Sequence, residues 1–164
     1  MKHKRIRRIV VGEGDKIKGF DDVRIFILNP EKDKRIIDSN ENSIVSKFLY
    51  KNFSVIFCGD VMEKSIERLN SYGSFLKSDV IKLLHHGGYL GEGGVVNNFF
   101  QNVSPKISIM SVGKIDNYNM PLESTLNILS SLNSKSYETK DDGAITMWIG
   151  SSSGVEKIEL VNKN

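Results

Sequence analysis

The sequence predicts an α/β domain, a mixed β-sheet covered on one face by helices. Three observations lead there. Short apolar runs with strand character alternate with stretches of helical period. Two consecutive strands are separated only by Lys51-Asn52, a spacing that suits a tight hairpin. Strand segments also outnumber helical ones, the balance of a sheet with two or three covering helices.

The elements follow in order. Ile9-Val10-Val11 reads as a first strand behind a charged arm, and Val23-Arg24-Ile25-Phe26-Ile27-Leu28 as a second, closed by Asn29-Pro30. Ser43 to Tyr50 and Phe53 to Cys58 form the hairpin. Asp60 is placed to cap a helix from about Val61 to Asn70, with Met62, Ile66 and Leu69 on one face and Glu63, Glu67 and Arg68 toward water. Asp79 to Leu84 is the next strand. A loop holding Gly87, Gly88, Gly91, Gly93 and Gly94 follows, then a helix over Val95 to Val103 and a strand from Lys106 to Val112.

Pro121 opens another helix from its first-turn position, where the missing N–H costs nothing. Leu122, Leu126, Leu129 and Leu132 line its buried side. Lys135 to Thr139, a turn at Asp141-Asp142-Gly143, and strands Ala144 to Ile149 and Val155 to Val161 complete the chain.

At 164 residues, with 39% hydrophobic and 26% charged residues, the chain has the size and composition of one globular domain, residues 9–164, behind a basic arm, residues 1–8. No apolar run reaches the roughly 20 residues of a membrane helix, and no signal-peptide core is present, so the cytoplasm is the expected compartment. The lone Cys58 lies in an apolar run and reads as a core residue. The net charge of +3 is uneven: Lys2, Lys4, Arg5, Arg7 and Arg8 crowd the arm, while 18 basic residues face 20 acidic ones elsewhere. Such an arm either solubilises the terminus or touches phosphates, which makes a DNA-binding module one expectation.

The chemistry concentrates at two strand ends. Val55-Ile56-Phe57-Cys58 stops at Gly59-Asp60, and Leu83-Leu84 stops at His85-His86-Gly87-Gly88. In α/β proteins, the carboxyl edge of the sheet is where ligands collect. A carboxylate beside imidazole suits zinc, manganese or iron. Capping is the competing role for Asp60, and ordinary strand termination for the histidines. Neighbouring strand side chains point to opposite faces, so both histidines reach one centre only if the strand breaks there, and Gly87-Gly88 supplies a break. The glycine-rich loop lacks the Lys-Ser/Thr of a phosphate cradle.

Six segments occur in a telling order: Asn40-Glu41-Asn42-Ser43-Ile44-Val45, Cys58-Gly59-Asp60, Lys82 to Gly87, Ser111-Val112-Gly113, Tyr118 to Pro121, and Thr139 to Ile145. From about Val23 to Ile149 the chain resembles the carboxyl-terminal half of the metallo-β-lactamase-fold domain of ComEC/Rec2-type DNA-internalisation competence proteins and their soluble relatives. The resemblance implies part of an αββα fold that lacks its amino-terminal half. It also implies Asp60, His85 and His86 as metal-binding and catalytic residues, with one or two divalent ions (zinc or manganese). The implied reaction is hydrolysis of a phosphodiester, most plausibly in DNA.

Two features depart from that pattern. The histidine- and aspartate-rich motif of the family's amino-terminal half has no counterpart, since His3 is the only histidine outside the pair. Tyr118-Asn119-Met120-Pro121 stands where a Tyr-Gly-His-Pro is usual. The three remaining ligands suffice for one ion in an open site. A non-catalytic remnant, or a subunit completed by a second chain that carries the missing half-domain, is therefore a further expectation.

Overall fold

The computed structural model describes residues 8–20, 22–34, 37–114, 118–150 and 154–161. Most of the basic arm lies outside them. Among the described residues, seven strands make one sheet whose spatial order follows the chain: β1 (Lys16–Ile17), β2 (Val23–Asn29), β3 (Val45–Tyr50), β4 (Phe53–Phe57), β5 (Val80–Lys82), β6 (Ile107–Met110) and β7 (Lys135–Glu138). The first four pair antiparallel and β4 to β7 pair parallel, so the sheet is mixed.

Each parallel step is bridged by a helix: α1 (Glu63–Asn70), α2 (Gly93–Val103) and α3 (Glu123–Ser131). Successive crossovers of one hand, stepping in one direction, put all three on the same face, and α2 packs against both α1 and α3. Beneath them Ile56, Ile81, Leu83, Met110, Ile66, Leu69, Phe99, Phe100 and Leu129 are fully buried in one core. Burying a side chain of this kind contributes about 1.5–3 kcal/mol. On the sheet's other face, Phe57 is 42% exposed and meets Phe48 edge-to-face, ring centroids 5.3 Å apart. The short helix α4 (Thr139–Asp142) leads to a separate hairpin of β8 (Ala144–Ile149) and β9 (Val155–Val161).

Several sequence expectations change. Ile9-Val10-Val11 is not a strand. Ile9 and Val10 are exposed, and the chain turns at Gly12, whose N–H donates to Asp15 Oδ2 at 2.9 Å, before β1 begins. Pro121 stands before the N-cap Leu122 of α3 rather than inside its first turn. Gly93 and Gly94 belong to α2 instead of the preceding loop. Asp141-Asp142 close α4, and the turn falls at Gly143, with φ +72°. Arg68 of α1 faces inward, onto Asn29 and Glu13.

What positions the site is the pairing of β4, β5 and β6. Phe57 lies opposite Lys82, and Lys82 opposite Ile109. Three parallel strands thus end together, and the loops that leave them share one edge of the sheet.

Candidate functional site

The first loop leaves β4 through Cys58, fully buried, and turns at Gly59 with φ +56°. A side chain at Gly59 would bring its Cβ within 2.7 Å of Ser43 Cβ. The Asp60 N–H donates to Ser43 Oγ at 3.1 Å. Asp60 is not the helix cap. The N-cap of α1 is Met62, and the amides of Met62, Lys64 and Ser65 donate to the carboxylate of Glu41, a buried residue in the 3-10 turn Asn40–Asn42. An acid 21 residues upstream of Met62 satisfies the helix start, which leaves the Asp60 carboxylate for other work.

The second loop leaves β5 through Leu83 and winds into a tight turn, Leu84–Gly87. The break falls on the histidines themselves rather than on the glycines. His85 (φ 42°, ψ 40°) and His86 (φ 57°, ψ 15°) both hold left-handed backbone, uncommon for residues other than glycine. Gly87, at φ +82°, lets Pro121 pack closely, since a Cβ there would be 2.7 Å from Pro121 Cβ.

His86 Nε2 and Asp60 Oδ1 are 3.3 Å apart. On the other side of the ring, His86 Nδ1 is 2.7 Å from the Ser111 carbonyl oxygen, beyond the end of β6. A carbonyl can only accept, so Nδ1 carries the proton and Nε2 faces the carboxylate with a lone pair unless a second proton is bound. Two electron-rich atoms so placed call for a proton or a cation between them. Two donors bound about 2.0–2.1 Å from a tetrahedral ion are about 3.3 Å apart, so the pair matches one edge of such a site. A backbone carbonyl on the far ring nitrogen is the usual device that orients a metal-binding imidazole.

His85 is held in the same manner, its Nδ1 3.1 Å from the Tyr89 carbonyl oxygen, and its backbone N–H donates to the Gly59 oxygen at 3.0 Å. Asp60, His85 and His86 line one open cavity of about 530 Å³, together with Asn40, Ser111, Val112, Gly113, Tyr118 and Met120. Among the described residues, however, no three His, Cys, Asp or Glu side chains are arranged to hold a metal ion. Two side-chain donors, Asp60 and His86, are close enough to share one cation, fewer than a two-ion site requires. Lys82 brings positive charge to this edge. Burial pulls its pKa below the ordinary lysine value, partly countered by Cys58 and Asp60.

Asp60, His85 and His86, singled out by residue type and strand-end position, line the same cavity at one sheet edge. Glu41 as the cap and Ser111 as the orienting acceptor were not among the residues so singled out. The segments Asn40 to Val45 and Ser111-Val112-Gly113 were the available signal, since both follow or precede strands that end at this edge.

The arrangement is one of a metallo-β-lactamase-type α/β fold, with acid and imidazole delivered by neighbouring strand ends. Comparison with known proteins agrees. No family model matches the chain. It is 24% identical over 171 residues to ComE operon protein 3 of Bacillus subtilis, covering 88% of this chain and 22% of that protein. It is 31% identical over 132 residues to Competence protein ComA of Neisseria gonorrhoeae, covering 80% and 18% respectively. The chain therefore spans about a fifth of the length of these relatives. A solved structure of a proposed metal-dependent hydrolase from Parabacteroides distasonis superposes with a TM-score of 0.50 at 12% identity, over 79% of this chain and 56% of that one. The chain is thus similar to one segment of these competence proteins and has the fold of a ComEC-type metallo-β-lactamase domain.

Proposed function

We propose that this domain binds a single divalent ion, zinc or manganese, between Asp60 and His86 and acts on a phosphodiester, with DNA as the substrate class. The observation that carries the reading is the 3.3 Å approach of His86 Nε2 to Asp60 Oδ1, with Nδ1 engaged on Ser111. The competence relatives and the hydrolase lineage of the fold support it. A bound ion would polarise a phosphoryl oxygen and acidify a water.

The chain's own residues would do the rest. Asp60 and His86 hold the ion. His85, whose Nδ1 is engaged on Tyr89, offers its Nε2 to the cavity as an acceptor for a proton or a ligand. Asn40 and Tyr118 line the cavity with groups that can donate to phosphate.

The test is hydrolysis of single-stranded DNA by the purified chain with added manganese or zinc, alongside direct measurement of metal binding. One equivalent of metal bound in the wild type and none in Asp60→Ala is the expected result. Undiminished binding and turnover in Asp60→Ala would refute the reading.

The donor shortfall favours a second reading, in which the chain is a half-site completed by ligands from a partner polypeptide segment. Metal binding without turnover, with turnover restored by adding a histidine-rich partner, would be its signature.

A further inference from the structure

Behind the cavity runs a polar chain that no step in hydrolysis requires. Asn29, fully buried at the end of β2, donates through Nδ2 to the carbonyl oxygens of Glu41 at 2.9 Å and Ser43 at 2.6 Å. Its Oδ1 accepts from Arg68 of α1. Arg68 also pairs with Glu13, which takes the Tyr72 hydroxyl at 2.5 Å. The Asn29 side chain is itself removed from water and its three hydrogen bonds are directional, an arrangement that specifies one loop geometry in a way that an apolar residue of the same size would not.

The segment it pins is the one that holds Asp60. Ser43, whose carbonyl is fixed by Asn29, accepts the Asp60 N–H through Oγ, and Gly59 packs directly on its Cβ. The Gly59 carbonyl in turn takes the His85 N–H. One continuous path therefore leads from Asn29 through Ser43 to the Gly59-Asp60 turn, and from there to the histidine loop.

We infer that Ser43 and Asn29 are positioning residues, which set the distance between Asp60 and the histidines that makes the pair able to share one cation. The inference rests on the metal-binding reading of Asp60 and His86. It goes beyond that reading by assigning the site's geometry to residues that touch neither metal nor substrate. Losing an outer partner of this kind costs about 10–100-fold in metal affinity.

The experiment titrates cobalt(II), as a visible probe, into the wild type, Ser43→Ala and Asn29→Asp. The aspartate keeps the side-chain volume and the acceptor for Arg68 but loses the Nδ2 donor to the carbonyls of both Glu41 and Ser43. Positioning predicts a roughly 10-fold or greater loss of cobalt affinity and a shifted ligand-field band in both variants, with the far-ultraviolet circular dichroism unchanged. Wild-type affinity and spectrum in both variants would overturn the inference.

Amide exchange on the metal-free proteins separates the two readings. Faster exchange at Asp60 and His85 in Ser43→Ala, with the α1 amides unaltered, supports positioning even if the wild type takes up no cobalt, an outcome that would defeat the metal-binding reading alone. Unchanged exchange at both amides would overturn positioning whatever the cobalt result.

Discussion

The backbone N–H of His85 donates to the Gly59 carbonyl oxygen at 3.0 Å, so the two loops that carry the candidate ligands are hydrogen-bonded to each other. The ladder between β4 and β5 continues into this bond through Cys58 N–H and the Lys82 oxygen, 3.3 Å apart. Displacing one loop displaces the other.

Gly59→Ala tests that coupling. Its φ of +56° is strained for any residue with a Cβ, and that Cβ would meet Ser43 at 2.7 Å. The substitution should cost about 2–4 kcal/mol in urea unfolding with an unchanged m-value. It should also weaken metal binding, because Asp60 must move.

Glu41→Gln should destabilise the fold by about 1–3 kcal/mol. The carboxylate takes three amide donors at the start of α1, sharing them over two oxygens, whereas the carboxamide has one oxygen to offer. Urea unfolding followed by helical circular dichroism measures the loss.

Cys58 should resist thiol reagents in the native protein. It is fully buried, and burial drives its pKa well above that of a free thiol. Its modification rate should rise with urea in step with global unfolding. Rapid reaction in native buffer would contradict this packing.

Asp79 sits at the opposite end of the parallel strands. Burial raises its pKa, but the Lys106 ammonium at 2.8 Å and the Ser54 N–H at 3.0 Å outweigh burial and leave it below the ordinary aspartate value. A carboxylate with a lowered folded-state pKa adds stability above its unfolded pKa of about 4, and that stability is lost as pH falls through the folded value. The gap between wild type and Asp79→Asn should therefore be widest near neutrality and shrink below about pH 4. Thermal unfolding across that range provides the check.

Zinc should raise the melting temperature of the wild type with the logarithmic dependence expected for one site, and leave His86→Ala unshifted. An equal zinc shift in both would place the ion elsewhere.

Much of the fold was legible in the sequence because its signals are local. The hairpin at Lys51-Asn52, the apolar runs ending at Cys58 and Leu84, and the amphipathic spacing of Ile66 and Leu69 each declare themselves within a dozen residues. The helix start at Met62 did not, because its partner Glu41 lies far back along the chain, and Asp60 offered a nearer, plausible cap. Arg68 was misread for the same reason: its partners, Glu13 and Asn29, are 55 and 39 residues away. For the site, residue type and strand-end position located Asp60 and the histidines. The orienting carbonyl of Ser111 carries no side-chain signature and becomes visible only when β6 is laid beside β5. Among the described residues, no helix is long and apolar enough to cross a membrane.

The left-handed backbone at His85 and His86 sets local comfort against chemistry. Each such residue costs about 1–2 kcal/mol relative to glycine, so an Asn-Gly pair at these two positions would make a sturdier turn. A sturdier turn at this edge is therefore within two substitutions, at the cost of both imidazoles and of the Nδ1 contacts they make to Tyr89 and Ser111.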